Sequence, residues 1–172
     1  MSELKPVHLL YDERMTLHHI IESKEEYVEN KDRIISIHRK LMELEQRLLQ
    51  RYDKKELFLS LSCPVASKET ITLAHSESHY ETLEETSHWT DEQLEERTLK
   101  AEENEEDVYF SRDTFLAASL ACGGVVECVD AVMKKDSELK SSRAIAIVRP
   151  PGHHACEDKA MGKFLIVSLP LC

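Results

Sequence analysis

Two adjacent histidines, His153 and His154, lie in the segment RPPGHHA and are the residues of this sequence best suited to acid–base chemistry. Two neighbouring imidazoles disfavour each other's protonation, so one can stay neutral near pH 7 while the other carries charge. The pair would supply a base and an electrostatic or acidic partner, as hydrolysis of an amide by a metal-bound water requires. Pro150 and Pro151 fix φ at about −65°, and Gly152 allows backbone conformations that other residues avoid. The segment predicts a stiff loop that holds two imidazoles in position.

The loop follows AIAIV, Ala144 to Val148, a continuous run of small and β-branched residues. Such a run predicts a strand buried on both faces of a parallel sheet, and ligands bind beyond the carboxyl ends of such strands. The apolar segment that begins at Thr114 predicts a buried helix, in which Gly123 and Gly124 would allow another backbone to pack closely. The order helix, polar turn, strand indicates an α/β fold.

The first half of the chain predicts further elements of the same fold. Val7 to Leu10 is a short strand or the lead into a loop that carries Asp12, Glu13 and Arg14, and LFLSLSCP, ending at Pro64, is a second short strand. Apolar residues at three- and four-residue spacings from Asp32 to Tyr52 predict an amphipathic helix. A core helix is favoured there over a coiled coil, because the pattern lasts only about two heptads.

The middle of the chain is more polar. SKETITLAHSESHYETLEE predicts two helical pieces, the second capped by Ser76 or Ser78. Between Thr86 and Asp107 the acidic residues predict a solvated loop or a frayed helix. The alternative is a rim that attracts a cationic substrate.

The composition restricts the classes of partner. The 172 residues are 41% hydrophobic and 32% charged, which is typical of a soluble globular chain that forms one domain or a piece of a larger one. A net charge of −11 argues against direct nucleic-acid binding and favours a cationic partner such as a lysine-rich tail. Five cysteines without a CxxC pair suit reduced thiols. We see no signal peptide and no run of about 18 apolar residues, so we expect no membrane association.

At this point the sequence resembles a known family. AIAIVRPPGHHACEDKAMG is similar to the tandem-histidine segment of the class II histone deacetylases, within the arginase/deacetylase superfamily. YDERM with His18 or His19 resembles the opening loop of that family, and DRIISIHRKL resembles its first helix. HSESHYETL is similar to its H-x-x-x-Y segment, and DVYFSRDTFLAASLACGGVVECVDAV resembles the stretch before the strand. The resemblance covers roughly residues 7 to 162.

The resemblance implies a fold, an activity and site residues. The fold would be a partial three-layer arginase/deacetylase-like α/β fold, with a parallel sheet flanked by helices and truncated after the tandem-histidine loop. The activity would be zinc-dependent hydrolysis of acetyl-lysine amides. His153 would be the first tandem histidine, an electrostatic partner and candidate general acid, and His154 the general base. Gly162 would lie beside the tunnel for the lysine stem. Acetylated histone tails or other acetyl-lysine proteins would be the substrates, with a corepressor complex left open and a location in the nucleus, the cytoplasm or both.

The sequence departs from the family after Gly162. Lys163 stands where an aromatic residue lines the tunnel, and the D-x-H segment and later aspartate that bind Zn²⁺ in the family would follow this point. We therefore expect residues 1–162 to be the N-terminal part of a deacetylase domain and residues 163–172 a divergent tail. On this expectation the chain has no metal ligands, is inactive alone, and exposes apolar surface and strand edges.

Two upstream features also bear on the site. Before the first helix the family has H-P-E-x-P, whereas Tyr27, Val28 and Lys31 occupy the His and Pro positions here. The i, i+4 pair His75 and His79 is predicted to be ordinary surface or loop histidine rather than a metal site.

Two alternatives to the protein deacetylase remain open. The first is a non-catalytic product that regulates partners through the Asp32–Tyr52 helix and the acidic segment. The second is a deacetylase of the same superfamily that acts on a small amide such as an acetylpolyamine, because fold resemblance does not fix the substrate.

Overall fold

The chain forms a parallel sheet flanked by helices, as described by a computed structural model for residues 5–20, 29–53, 55–104, 108–134, 141–152, 154–160 and 165–166. The strands are β1 (Val7–Tyr11), β2 (Phe58–Ser60) and β3 (Ala144–Ile147), and a 3-10 helix at Glu13–Leu17 follows β1. The helices are α1 (Asp32–Tyr52), α2 (Lys68–Ile71), α3 (Glu77–Glu85), α4 (Asp91–Glu103) and α5 (Thr114–Met133), with a 3-10 turn at Thr86–His88. The predicted α/β class is confirmed.

The three strands run parallel in the order β2-β1-β3. Leu9 pairs with Ser60 on one side and with Ile145 on the other, so β1 is the central strand. Successive side chains of a strand point to opposite faces of the sheet. Tyr11 stacks on His38 of α1, whereas the preceding residue, Leu10, lies against Gly124 of α5. Helices α1 and α5 therefore cover opposite faces, and the described chain has three layers.

Helix α5 is the buried helix that the apolar segment predicts, and its glycines explain how it fits. A Cβ atom on Gly123 would overlap the Pro64 carbonyl oxygen and lie 2.8 Å from the Ala66 nitrogen. Close approach of another backbone, predicted for the glycine pair, is thus confirmed at Gly123, whereas Gly124 faces the side chains of Leu10 and Cys63. By length and composition α5 could also cross a membrane, a property that we did not predict from the sequence. Because more than half of its most apolar window is buried by the sheet and neighbouring helices, we describe α5 as the core helix of this fold.

Helix α1 agrees in its bounds with the amphipathic pattern, and it anchors β2. The Glu45 carboxylate accepts hydrogen bonds from the backbone N–H groups of Leu57 and Phe58, at 3.2 and 2.9 Å. One hydrophobic cluster joins this helix, the sheet and α5, and it includes Leu9, Met15, Ile34, Leu57, Phe58, Leu120, Ala121 and Ile147.

The polar segment after Thr86 is more ordered than predicted. Thr90 and Gln93 form a reciprocal capping box that starts α4, and Leu94 and Ala101 on one face of the helix are buried. The interpretation as a loop or frayed helix is therefore wrong for residues 91–103. A second hydrophobic cluster joins α2, α3, α4 and α5, and it includes Ile71, Tyr80, Leu83, Leu94, Ala101, Val108, Phe110, Ala118 and Cys122.

Strand β3 is parallel as predicted. The prediction that it is buried on both faces is wrong for the described residues. Ile147 is buried, whereas Ile145 is 37% exposed. The reason is that β3 is an edge strand among the described residues, and α1 covers only part of its outer face.

Candidate active site

The loop after β3 begins with a buried arginine and ends with an exposed histidine. Arg149, Pro150 and Gly152 are buried, and the Ala155 N–H donates to the Gly152 carbonyl at 3.1 Å. The Arg149–Pro150 peptide bond is cis. His154 is exposed, and its partner His153 lies outside the described residues. One tandem histidine is thus placed at the carboxyl end of a parallel strand, where the sequence predicts the site.

The Arg149 side chain holds the start of this loop. It is 1% exposed, and it forms a bidentate ion pair with Glu29, itself 4% exposed. The Nε–Oε1 and Nη2–Oε2 distances are 2.7 and 3.1 Å. Nη1 donates to the carbonyl oxygens of Met15 and His18, and Nη2 donates to the Tyr109 hydroxyl. The strand end is therefore bonded to the opening loop and to the segments before α1 and α5.

The opening loop YDERM has a defined local structure. Asp12 caps the 3-10 helix through a hydrogen bond from the Arg14 N–H, at 2.9 Å, and the same carboxylate receives the Arg14 guanidinium, at 2.6 Å from Nη2. These bonds lower the pKa of Asp12 below its ordinary value. Arg14 Nη2 also donates to the Cys63 carbonyl at 3.0 Å, which ties the loop to the segment after β2.

His18 and His19, both candidates in the resemblance, have different environments. His18 is buried, stacks on the Tyr109 ring at 4.5 Å, and lies 3.2 and 3.1 Å from the hydroxyls of Ser111 and Thr114 through Nδ1. Burial, and then the nearby Arg149 charge, lower its pKa well below 6.5, so His18 is neutral at pH 7. His19 is exposed and bonds the Leu17 carbonyl. Of the two, only His18 belongs to the buried network.

The histidines His75 and His79 were predicted to be surface or loop residues. His75 does lie in the turn between α2 and α3, but the prediction of surface exposure is wrong for both histidines. They are 3% and 5% exposed, and their ring centroids lie 4.8 Å apart. His75 Nδ1 donates to the Glu157 carbonyl at 3.2 Å, and His79 Nε2 donates to the Leu165 carbonyl at 2.9 Å. Burial, followed by the proximity of His79, lowers the pKa of His75. The pair therefore anchors the backbone that follows the tandem histidines.

Glu29 and Tyr109 are site residues that were not predicted from the sequence. Burial is the main cause that raises the pKa of Tyr109, and its hydroxyl donates to Glu29 Oε2 at 3.2 Å. The family pattern H-P-E-x-P, aligned with residues 27–31, could have identified Glu29 as a site residue. Glu29 is the carboxylate that remains at the Glu position, while Tyr27, Val28 and Lys31 replace its neighbours.

A zinc ion, which the resemblance implies, does not fit the side chains placed here. Across the described ranges, no group of three or more His, Cys, Asp or Glu side chains could hold a metal ion. Catalytic zinc needs three protein ligands and an open position. Gly162, predicted to border the lysine tunnel, lies outside the described residues.

Comparison with known proteins agrees with this architecture. Residues 27–167 match the histone deacetylase domain family. Histone deacetylase HDA1 of Saccharomyces cerevisiae is 36% identical over 93% of this chain and 23% of its own length. Histone deacetylase HDA1 of Candida albicans is 35% identical over 86% of this chain and 18% of its own. Polyamine deacetylase HDAC10 of Danio rerio is 35% identical over 56% of this chain and 13% of its own.

A solved structure supports the fold. The crystal structure of the HDA15 HD domain superposes with a TM-score of 0.69 at 23% identity, over 95% of this chain and 41% of that one. Fold, loop placement and sequence matches together define a deacetylase-type α/β domain. The chain belongs to the histone deacetylase family. It spans about a fifth of the length of the two HDA1 relatives.

Proposed function

We propose that this chain supplies the N-terminal part of a zinc-dependent lysine deacetylase domain, in which His153 and His154 carry out the proton transfers of amide hydrolysis. The observation that carries the proposal is the position of His154, exposed on a loop that leaves the carboxyl end of β3 while Arg149 and Pro150 at its start are buried. This arrangement presents the His154 imidazole to a substrate from a loop whose first residues are fixed by burial.

The chemistry assigned to the chain is limited to these two imidazoles. His154 would accept a proton from the water that adds to the acetyl carbonyl, and His153 would stabilise the developing charge and donate a proton to the leaving lysine amine. The C–N bond of the amide breaks, and the products are acetate and the free amine. Because the described side chains provide no zinc ligand set, no step is assigned to a metal here.

The proposed substrate is an acetylated lysine in a protein, with histone tails as the first candidates and the nucleus or cytoplasm as the location. The relatives named histone deacetylase HDA1 are 35–36% identical over 86–93% of the chain, slightly more than the human polyamine deacetylase HDAC10, which is 32% identical over 90% of it. The chain's net charge of −11 also favours a lysine-rich substrate. We keep the division into residues 1–162 and a tail at 163–172 as part of the proposal.

Full-length cDNA across codon 162, followed by assay of the encoded protein, tests this function. We expect a longer transcript that encodes a D-x-H segment, and a product that releases acetate from an acetyl-lysine histone peptide faster than from an acetylated spermidine. Substitution of His154 by Ala in that product should lower kcat by a factor of about 100 or more. An active product that tolerates His154→Ala would overturn the histidine assignment, and a preference for the spermidine would overturn the substrate.

A non-catalytic role in partner binding has one observation in its favour. Helix α1 exposes two large apolar side chains, Ile35 at 39% and Ile37 at 43%, which could contact another protein. This candidate predicts that the transcript ends at Cys172 and that the 172-residue chain is soluble and melts cooperatively. Recovery of the chain only as aggregate would count against it.

A further inference from the structure

The Arg149 guanidinium has a hydrogen-bond acceptor for each of its five N–H groups. Glu29 receives two of them, the carbonyl oxygens of Met15 and His18 receive two, and the Tyr109 hydroxyl receives the fifth. Arginine has five donors in a rigid fork, so this arrangement satisfies the side chain completely. The geometry fixes the direction of the guanidinium plane as well as its position.

The acceptors come from three separate parts of the chain. Met15 and His18 lie in the opening loop, Glu29 precedes α1, and Tyr109 precedes α5. The Tyr109 hydroxyl accepts from Arg149 and donates to Glu29, so the three side chains close a ring of hydrogen bonds. One buried side chain at the end of β3 therefore sets the relative position of the segments that surround the site.

An apolar residue in place of Arg149 would not reproduce this arrangement. Buried ion pairs can often be replaced by apolar residues of similar volume without loss of stability. Here the replacement would leave the Met15 and His18 carbonyls without their Arg149 donor. The bidentate contact also restricts orientation more than a point charge does. These features favour a role in geometry over a role in stability alone.

The tandem-histidine loop is held on both sides of His154. Arg149 precedes the loop, and downstream the Glu157 carbonyl accepts from the His75 ring at 3.2 Å and from the Ser76 N–H at 3.0 Å. A short segment between two anchors takes its geometry from the anchors. Displacement of Arg149 would therefore be transmitted to His154 through only four intervening residues.

We propose that Glu29 and Arg149 are positioning residues, whose buried ion pair fixes residues 150–152 against the opening loop and so orients the His154 imidazole. The importance of this orientation for catalysis rests on the proposed function. The positioning itself does not, and it can be measured without enzyme activity.

Nuclear magnetic resonance of the uniformly ¹³C,¹⁵N-labelled chain tests the proposal. Glu29→Gln keeps the shape of the side chain and removes its charge. Arg149→Lys keeps the positive charge but removes the planar guanidinium group with its paired N–H donors. Both variants should shift the imidazole signals of His154 and speed amide exchange at residues 154–159 by roughly tenfold or more. Exchange in the middle of α5 should rise by a smaller factor than exchange at residues 154–159.

The matched control is Asp91→Asn, which breaks the exposed Asp91–Arg112 ion pair and should leave the His154 signals unchanged. Tyr109→Phe serves if Glu29→Gln does not fold, since it removes one hydroxyl and leaves the charge pair. It should give a smaller shift in the same direction. Folded variants whose His154 signals and loop exchange match the unmodified chain would overturn the proposal. If His154 moves while the longer product lacks deacetylase activity, the proposed function fails and the positioning role stands.

Discussion

Gly123 in α5 lies against the backbone of Pro64 so closely that a Cβ atom on this residue would overlap the Pro64 carbonyl oxygen. The next residue, Gly124, faces the end of a flexible side chain instead, and a Cβ atom there would lie 2.7 Å from Leu10 Cδ2. Two adjacent glycines in one helix thus have different requirements. Only the first excludes a side chain through contact with rigid backbone.

Substitution of Gly123 by Ala should lower the free energy of unfolding by up to about 2 kcal/mol, because an overpacking cost of about 1–3 kcal/mol outweighs the roughly 1 kcal/mol gain in helix propensity. Gly124→Ala should cost less, since the Leu10 side chain can move. Urea denaturation followed by circular dichroism measures both. Equal stability of the two variants would show that the segment at Pro64 adjusts freely.

His8 on β1 is fully buried, and neither ring nitrogen has a hydrogen-bond partner within the described part of the chain. Burial of an unpaired polar group is unfavourable, so His8→Leu should raise the free energy of unfolding by about 1–3 kcal/mol. The exposed residue His88 offers a control substitution to Leu with little expected effect. A destabilised His8→Leu variant would instead point to a partner for the imidazole.

The buried histidine His18 makes stability depend on pH. Its pKa in the folded chain is lowered well below 6.5, so below about pH 6.5 the unfolded chain binds a proton that the folded chain excludes. The stability from neutral His18 is therefore complete above that pH and is lost as the pH falls, by up to about 1.4 kcal/mol per unit.

Denaturant titrations between pH 7 and pH 5 measure this dependence. His18→Gln, which keeps a polar side chain near Ser111 and Thr114, should reduce the slope by about 1.4 kcal/mol per pH unit. His88→Gln changes an exposed side chain and is the matched control. A variant with the same slope as the unmodified chain would remove His18 as a source of the pH dependence.

Cys63 should react slowly with alkylating reagents. Burial raises the pKa of its thiol from 9.0 to about 11. Because the thiolate is the nucleophile, alkylation by iodoacetamide at pH 8 should be slower by about 100-fold than in the denatured chain. Mass spectrometry of the peptide that contains Cys63 measures both rates. Similar rates before and after denaturation would contradict the raised pKa.

Several elements were predictable because their signals are local. The apolar spacing from Asp32 predicts α1 to its last residue, and the apolar segments predict α5 and the parallel strand β3. The place of His154 after that strand follows from the same pattern together with the rule for parallel sheets. Helix α4 was missed because the many carboxylates of this segment indicated a solvated loop, and the capping box at Thr90 and Gln93 was not taken as a helix start.

The remaining features depend on contacts that no local pattern contains. The i, i+4 spacing of His75 and His79 indicates that the rings are neighbours, but their burial comes from backbone near Glu157 and Leu165. Glu29 lies in a run of charged residues whose composition does not distinguish it from its neighbours. Its burial depends on Arg149, which is 120 residues away.

The long separation between Glu29 and Arg149 also has a consequence for the order of folding during synthesis. Ribosomes extend chains at about 5–20 residues per second, so the carboxylate waits roughly 6 to 24 s for its guanidinium to be made. A charge cannot remain buried and unpaired during that delay. The Glu29 carboxylate must therefore stay hydrated on the nascent chain, and the buried ion pair forms only once the strand that ends at Arg149 has emerged.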